Sequence, residues 1–186
     1  MQFNNLKLGE WDSGTNTATL TVNNTTATFN GYALVGPYDN NDSRGYYTSN
    51  AVLNVTGTGV LNVGGSLSIG GNGNPTWTPV TSSVTVAPTA QLNLTGLNTR
   101  LRFNSGTYGF ALSNTPGAGK LSVNSTTDLW LANQIENGPA LAATLNVAAS
   151  SSVQFRELQM AWNEAQNATA TLNLGASANV SFSGRL

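Results

Sequence analysis

Residues Ala51–Asn74 read AVLNVTGTGVLNVGGSLSIGGNGN. Leu53 and Val55 flank one polar residue, Leu61 and Val63 repeat the arrangement eight positions on, and Leu67 and Ile69 give it a third time before Gly70. Apolar residues at every second position describe a strand with one face buried and the other in water. Between the first two pairs lie only Thr56–Val60, rich in small and turn-forming residues. That is too little chain for a crossover helix, so the backbone must bend and continue in the same sense.

The same doublet returns along the whole chain. Val84/Val86 is answered by Leu92/Leu94, Leu121/Val123 by Leu129/Leu131, Leu145/Val147 by Val153/Phe155, and Leu172/Leu174 by Val180/Phe182. A further copy, Leu20/Val22 with Ala27/Phe29, is one residue shorter. Taking the first residue of each doublet as a first strand, the units start at 20, 53, 84, 121, 145 and 172. A repeat of a few tens of residues decides the architecture. The expected fold is all-β: a right-handed parallel β-solenoid of about six coils, each of three short strands. The variable spacing falls in the connections after the third strand, at Pro37–Asn50, Gly71–Thr81, Ser105–Gly119, Asn133–Ala140 and Asn163–Asn167. Six coils at about 4.8 Å per strand would stand roughly 30 Å tall. A two-sheet sandwich also suits short strands and regular turns, but it needs no fixed spacing between successive strands. The whole chain, 1–186, is expected to form a single domain with partial coils at 1–12 and 172–186.

Composition narrows the function. Only 8% of residues are charged and the formal net charge is −1, against about 25% charged in an ordinary soluble domain. No basic stripe is available for nucleic acid, and no polybasic patch for a membrane surface. No apolar run approaches the ~20 residues needed to span a bilayer. Cysteine and histidine are both absent, which removes thiolate metal sites, disulfides and the commonest general base. No cofactor is expected. Asn, Ser and Thr must supply the solvated surface, a composition associated with exported bacterial surface proteins.

The stretch Ala51–Asn74, with its VLNVGGSLSIGG segment, resembles the repeats of bacterial autotransporter passenger domains and of surface proteins carrying exosortase-type sorting signals. The resemblance implies a secreted β-solenoid stalk or adhesin, extracellular or on the cell surface, without catalytic residues in the repeat.

A second internal similarity concerns the ends. Gln2–Asp12 aligns with Gln154–Asn163 when one residue is skipped, so that Phe3 matches Phe155, Leu6 matches Leu158, Leu8 matches Met160, and Trp11 falls near Trp162. The first strand-like segment is therefore a second strand, and Val180/Phe182 is a second strand again. Solenoids close their ends with a polar cap to hide unpaired backbone groups and apolar side chains. No charged or helical cap is visible here. The expectation is a non-enzymatic structural protein whose subunits stack head to tail into a filament or surface fibre, through Phe3, Leu6, Leu8, Trp11, Val180, Phe182 and Leu186. A head-to-tail contact that does not close on itself yields such a filament.

The alternative is an adhesin or fibre-type binding module, a fragment of a longer surface protein, that recognises glycans through aromatics in its connections: Tyr38, Tyr46, Tyr47, Trp77, Tyr108 and Trp162. Aromatic faces stack on sugar rings or anchor protein interfaces; the structural reading is that they pack over the outside of the sheets. Enzyme activity is not expected, because glycoside hydrolysis needs two facing carboxyls and no two acids share an offset in adjacent repeats. Asp39, Asn41 and Asp42 superficially resemble a calcium loop, yet Arg44 stands where an EF-hand has glycine and Asn50 where it has glutamate. A solvated turn is the simpler reading. Arg100 and Arg102 flank Leu101 and point outward, enough for one local anion contact.

Overall fold

The computed structural model describes residues 1–9, 17–36, 50–70, 82–132, 141–161 and 168–184. Within them lie nineteen strands, numbered β1–β19 in chain order, and every strand pair is parallel. The chain is an all-β parallel solenoid.

The third sheet is the most regular. It carries β2 (Leu6–Leu8), β5 (Ala33–Val35), β8 (Leu67–Ile69), β11 (Arg100–Phe103), β14 (Asp128–Leu131) and β17 (Leu158–Met160), one strand from each of six successive passes. Its register joins Leu6, Ala33, Leu67, Leu101, Leu129 and Leu158 in one inward ladder. Leu8, Val35, Ile69, Phe103, Leu131 and Met160 form the second. Successive side chains of a strand point to opposite faces, so one doublet per pass suffices to fill the interior.

The first sheet is made of two blocks. β3 (Thr17–Asn23), β6 (Asn50–Thr56) and β9 (Ser82–Val86) form one; the first half of β12 (Gly106–Ser113), β15 (Ala142–Val147) and β18 (Thr169–Leu174) form the other. The second sheet runs β1 (Gln2–Phe3), β4 (Thr26–Phe29), β7 (Val60–Val63), β10 (Gln91–Leu94), β13 (Lys120–Ser122), the end of β12, β16 (Ser152–Phe155) and β19 (Asn179–Phe182).

Turns between first and second strands are built alike. The amide of the fourth residue bonds to the carbonyl of the first at Thr56–Gly59, Ala87–Ala90, Ala148–Ser151 and Gly175–Ala178, at 2.8–3.0 Å, the geometry of a β-turn. Inside, Leu53, Val55, Leu61, Val63, Leu67 and Ile69 are all 0% exposed. The doublets of Ala51–Asn74 are thus three walls of one coil. Outside, polar side chains form ladders of their own: Asn93 Nδ2 donates to Asn62 Oδ1 at 3.0 Å, Ser122 Oγ to Asn93 Oδ1 at 2.7 Å, and Asn173 Nδ2 to Asn146 Oδ1 at 2.8 Å. Neutral amides pair with their own kind along the stack, where stacked like charges would repel.

Two expectations need correction. Leu121 pairs with Leu92, so the doublet Leu121/Val123 belongs to the second sheet, and Leu129/Leu131 belongs to the third. Their eight-residue offset spans a different corner, lengthened by Asn124–Thr127, and the offset alone does not tell the corners apart. The missing first strand is β12, inside the segment Ser105–Gly119 expected to be a connection. Tyr108, Phe110 and Leu112 alternate inward there, but Gly106, Gly109 and Pro116 give the segment the composition of a loop. β12 passes through the first sheet and into the second, and β13 then returns beneath it, between β12 and β10. The second sheet thereby gains an extra strand, and the first sheet is interrupted between β9 and β12.

Candidate functional site

The expected sites divide into the ends of the solenoid, the connections and the outer face of the third sheet. At the ends, β1, β2 and β3 each pair with a single strand among the described residues, and so do β17, β18 and β19. An unpaired edge offers a row of N–H and C=O groups. Apolar side chains accompany both edges. Phe3 is 45% exposed at one end and Leu174 51% at the other. Leu8 and Leu20, and Leu158, Leu172, Val180 and Phe182, are only partly buried, unlike their equivalents in the interior; Leu6 is buried. Phe3 stacks on Phe29 with ring centroids 5.2 Å apart, and Phe182 stacks on Phe155 at 5.9 Å. Each end therefore finishes on an aromatic ring already stacked on the ring of the strand beneath. Trp11 and Leu186, also expected at the interface, lie outside the described residues.

Tyr38, Tyr46, Tyr47, Trp77 and Trp162 lie outside the described residues, as do Asp39, Asn41 and Asp42. Tyr108 is placed in the core: it is 5% exposed, its ring packs 5.2 Å from Phe103, and its hydroxyl donates to the Ser105 carbonyl at 2.7 Å. Burial pushes the Tyr108 phenol well above its ordinary range. It presents no face to a surface ligand.

The outer face of the third sheet holds a cluster that the sequence only half disclosed. Because Leu101 and Leu129 point inward, register sets Arg100 beside Asp128 and Arg102 beside Trp130 on the outside. Both guanidiniums lie on the indole of Trp130, Arg100 at 4.3 Å and Arg102 at 4.4 Å from the ring, within the range of a cation–π contact. Asp128 is engaged elsewhere. Arg156 Nε donates to its Oδ1 at 2.8 Å and Nη2 to its Oδ2 at 2.6 Å, while Arg156 Nη1 reaches Asn98 Oδ1 at 3.1 Å. The hydrogen bond to Asp128, and then its charge, hold the Arg156 guanidinium protonated even more firmly than usual. Asp128 is 2% exposed, and a carboxylate so buried needs such a fork to offset its desolvation.

This arrangement also brings together two acids that the repeat spacing kept apart. Leu129 pairs with Leu158, so Asp128 and Glu157 immediately precede neighbouring rungs, and the Leu129 amide donates to the Glu157 carbonyl at 2.9 Å. With both Asp128 oxygens held by Arg156, the site is an ion pair rather than an opposed pair of open carboxyls. The sequence alone does not single out Trp130, because in Asp128-Leu-Trp-Leu131 an outward indole on a strand looks like one more core residue. Its register partner Arg102 was the available signal.

Among the described residues no group of three or more Asp, Glu, His or Cys comes together as a metal site. No family model matches this chain, and comparison with curated proteins and with solved structures gives no match.

Proposed function

We propose that this chain is a non-enzymatic, extracellular structural subunit, a β-solenoid that joins end to end with further copies of itself into a filament or surface fibre. The observation that carries the reading is that both ends finish in the same sheet on matching aromatic stacks, Phe3 on Phe29 and Phe182 on Phe155. Bringing β1 of one copy against β19 of the next sets Phe3 on Phe182 and turns two short stacks into one. Main-chain hydrogen bonds of the β-augmentation kind would extend the second sheet across the joint. With β1 and β19, the first and last described strands, both in the second sheet, a joint made there leaves in each of the other two sheets a slot one strand wide.

Composition and the likeness of Ala51–Asn74 to exported repeats support a location outside the cell. The low charge supports assembly too, since few like charges oppose the approach of two copies. Purified protein should form linear assemblies by negative-stain microscopy and light scattering, growing with concentration. Phe3→Asp, at a half-exposed position, should keep the fold, lower the melting temperature by the modest cost of one lost ring stack, and hold the protein as a monomer. Phe182→Asp, at a partly buried position, should also hold it as a monomer at a larger cost in melting temperature. Filaments that persist in both variants, or a wild-type chain that stays monomeric at high concentration, would sink the reading.

A further inference from the structure

The Arg–Trp cluster on the outer face of the third sheet lies off the inward ladders, since Arg100, Arg102, Asp128 and Trp130 alternate with the inward Leu101, Phe103, Leu129 and Leu131. Four of its features bear on binding. Three of the chain's seven cationic side chains, Arg100, Arg102 and Arg156, are gathered there. Arg156 is committed to Asp128 and Asn98. Arg100 is exposed, and among the described residues no carboxylate pairs with its guanidinium. Stacking on Trp130 occupies one flat face of that guanidinium and leaves its rim of N–H donors in the plane, the geometry that grips two oxygens at once.

From this geometry we infer that Arg100, held on Trp130, is an anion-recognition point for an acidic polysaccharide, taking a carboxylate or sulfate-ester group in a bidentate grip. The stack fixes the orientation of a long side chain before the ligand arrives, which lowers the ordering cost of binding. The chemistry around it suits a glycan rather than an acidic peptide. Ser68 stands beside Arg102 on one neighbouring strand, Ser66 lies just before that strand, and Gln159 stands beside Trp130 on the other. The Ser66 hydroxyl accepts the Arg100 amide at 3.0 Å. These hydroxyl and amide groups match sugar hydroxyls, and the buried Trp130 indole, 7% exposed, offers no open apolar pocket for peptide side chains. In a filament the cluster would recur once per subunit, so weak single contacts would add along a polymer.

The test is calorimetric titration at low ionic strength with oligogalacturonate, which carries carboxylates, and with a heparin oligosaccharide, which carries sulfates. Binding of either that weakens as salt is raised supports the inference, and the preferred arm names the anion. Arg100→Gln should reduce that affinity by about tenfold or more, the scale of one charge-assisted hydrogen bond. Trp130→Leu should reduce it as well, with the fold checked by its melting curve. Lys7→Gln, which removes the same charge lower on the same sheet, should leave it within about twofold. Equal losses in Arg100→Gln and Lys7→Gln would reduce the effect to net charge and overturn the site. So would absence of binding in both arms, or tighter binding of poly-glutamate than of either glycan. The result is independent of assembly, because the Phe3→Asp monomer can be titrated in the same way.

Discussion

Tyr108 shows how one residue ties the irregular part of the chain to the core. Its ring lies 5.2 Å from Phe103, whose other neighbour Phe110 is at 5.8 Å, and its hydroxyl bonds to Ser105. Such aromatic contacts contribute about 0.5–1.5 kcal/mol beyond the area they bury. The buried phenol keeps its proton where the unfolded chain has lost it. Its folded value is raised, so the unfolded state binds fewer protons above about pH 10 and stability must fall as pH rises beyond that point. The expected slope is about 1.4 kcal/mol per pH unit. Urea midpoints between about pH 9 and pH 11, roughly one unit either side of the ordinary tyrosine value, should show it. Tyr108→Phe should abolish most of that slope and cost about 1 kcal/mol at neutral pH for the lost hydrogen bond. An unchanged slope in Tyr108→Phe would place the titrating group elsewhere.

Elements in the third sheet end in a common way. The residue after the strand has a left-handed backbone in five of the six passes: Gly9, Gly36 and Gly70 at φ 80, 123 and 88, and Ala132 and Ala161 at φ 49 and 53. Glycine takes this conformation without penalty, and an L-residue at about 1–2 kcal/mol. Ala161→Gly should therefore stabilise the protein by up to about 1 kcal/mol, less the extra entropy of glycine in the unfolded chain. Gly70→Ala should destabilise it by more, because a Cβ there would run into the Ser105 carbonyl oxygen as well as sit at positive φ. Chemical unfolding of the two variants would show opposite signs, and a shared sign would contradict the account. Much of this level was legible in the chain. Gly36 and Gly70 announced the ends of their strands, and five of the six doublets fell in the sheets expected. The sixth failed because Leu121–Leu131 repeats the eight-residue offset across another corner, while β12 hid its alternation behind two glycines.

At the scale of the whole molecule, each rung contacts chiefly the rungs above and below, so stability should be close to a sum over neighbours. A chain ending at Met160, without β18 and β19, should keep its β-sheet spectrum and a cooperative transition at a lower midpoint. It should also lose solubility, since Val147, Val153 and Phe155, now buried, would form the new end. Complete unfolding of that truncation would show long-range cooperativity that neighbour sums do not contain. The interrupted first sheet between β9 and β12 is the place where such a sum should be weakest. There the second sheet has gained a strand that the first has not.

The alternation of apolar residues by itself determined that this chain is a parallel coil, because a period of two in short runs joined by tight turns has few other ways to bury its apolar face. It also placed Phe3 and Phe182 in equivalent strands at opposite ends, which is a matter of counting repeats. Only the tertiary structure decided which wall each doublet belongs to, because a coil with corners of unequal length allows more than one assignment. Only it set Trp130 beneath two arginines and Asp128 in the grip of Arg156, since those contacts join residues about one coil apart through strand register. Local pattern fixes the period of the stack; the partners across it depend on how every intervening corner is made.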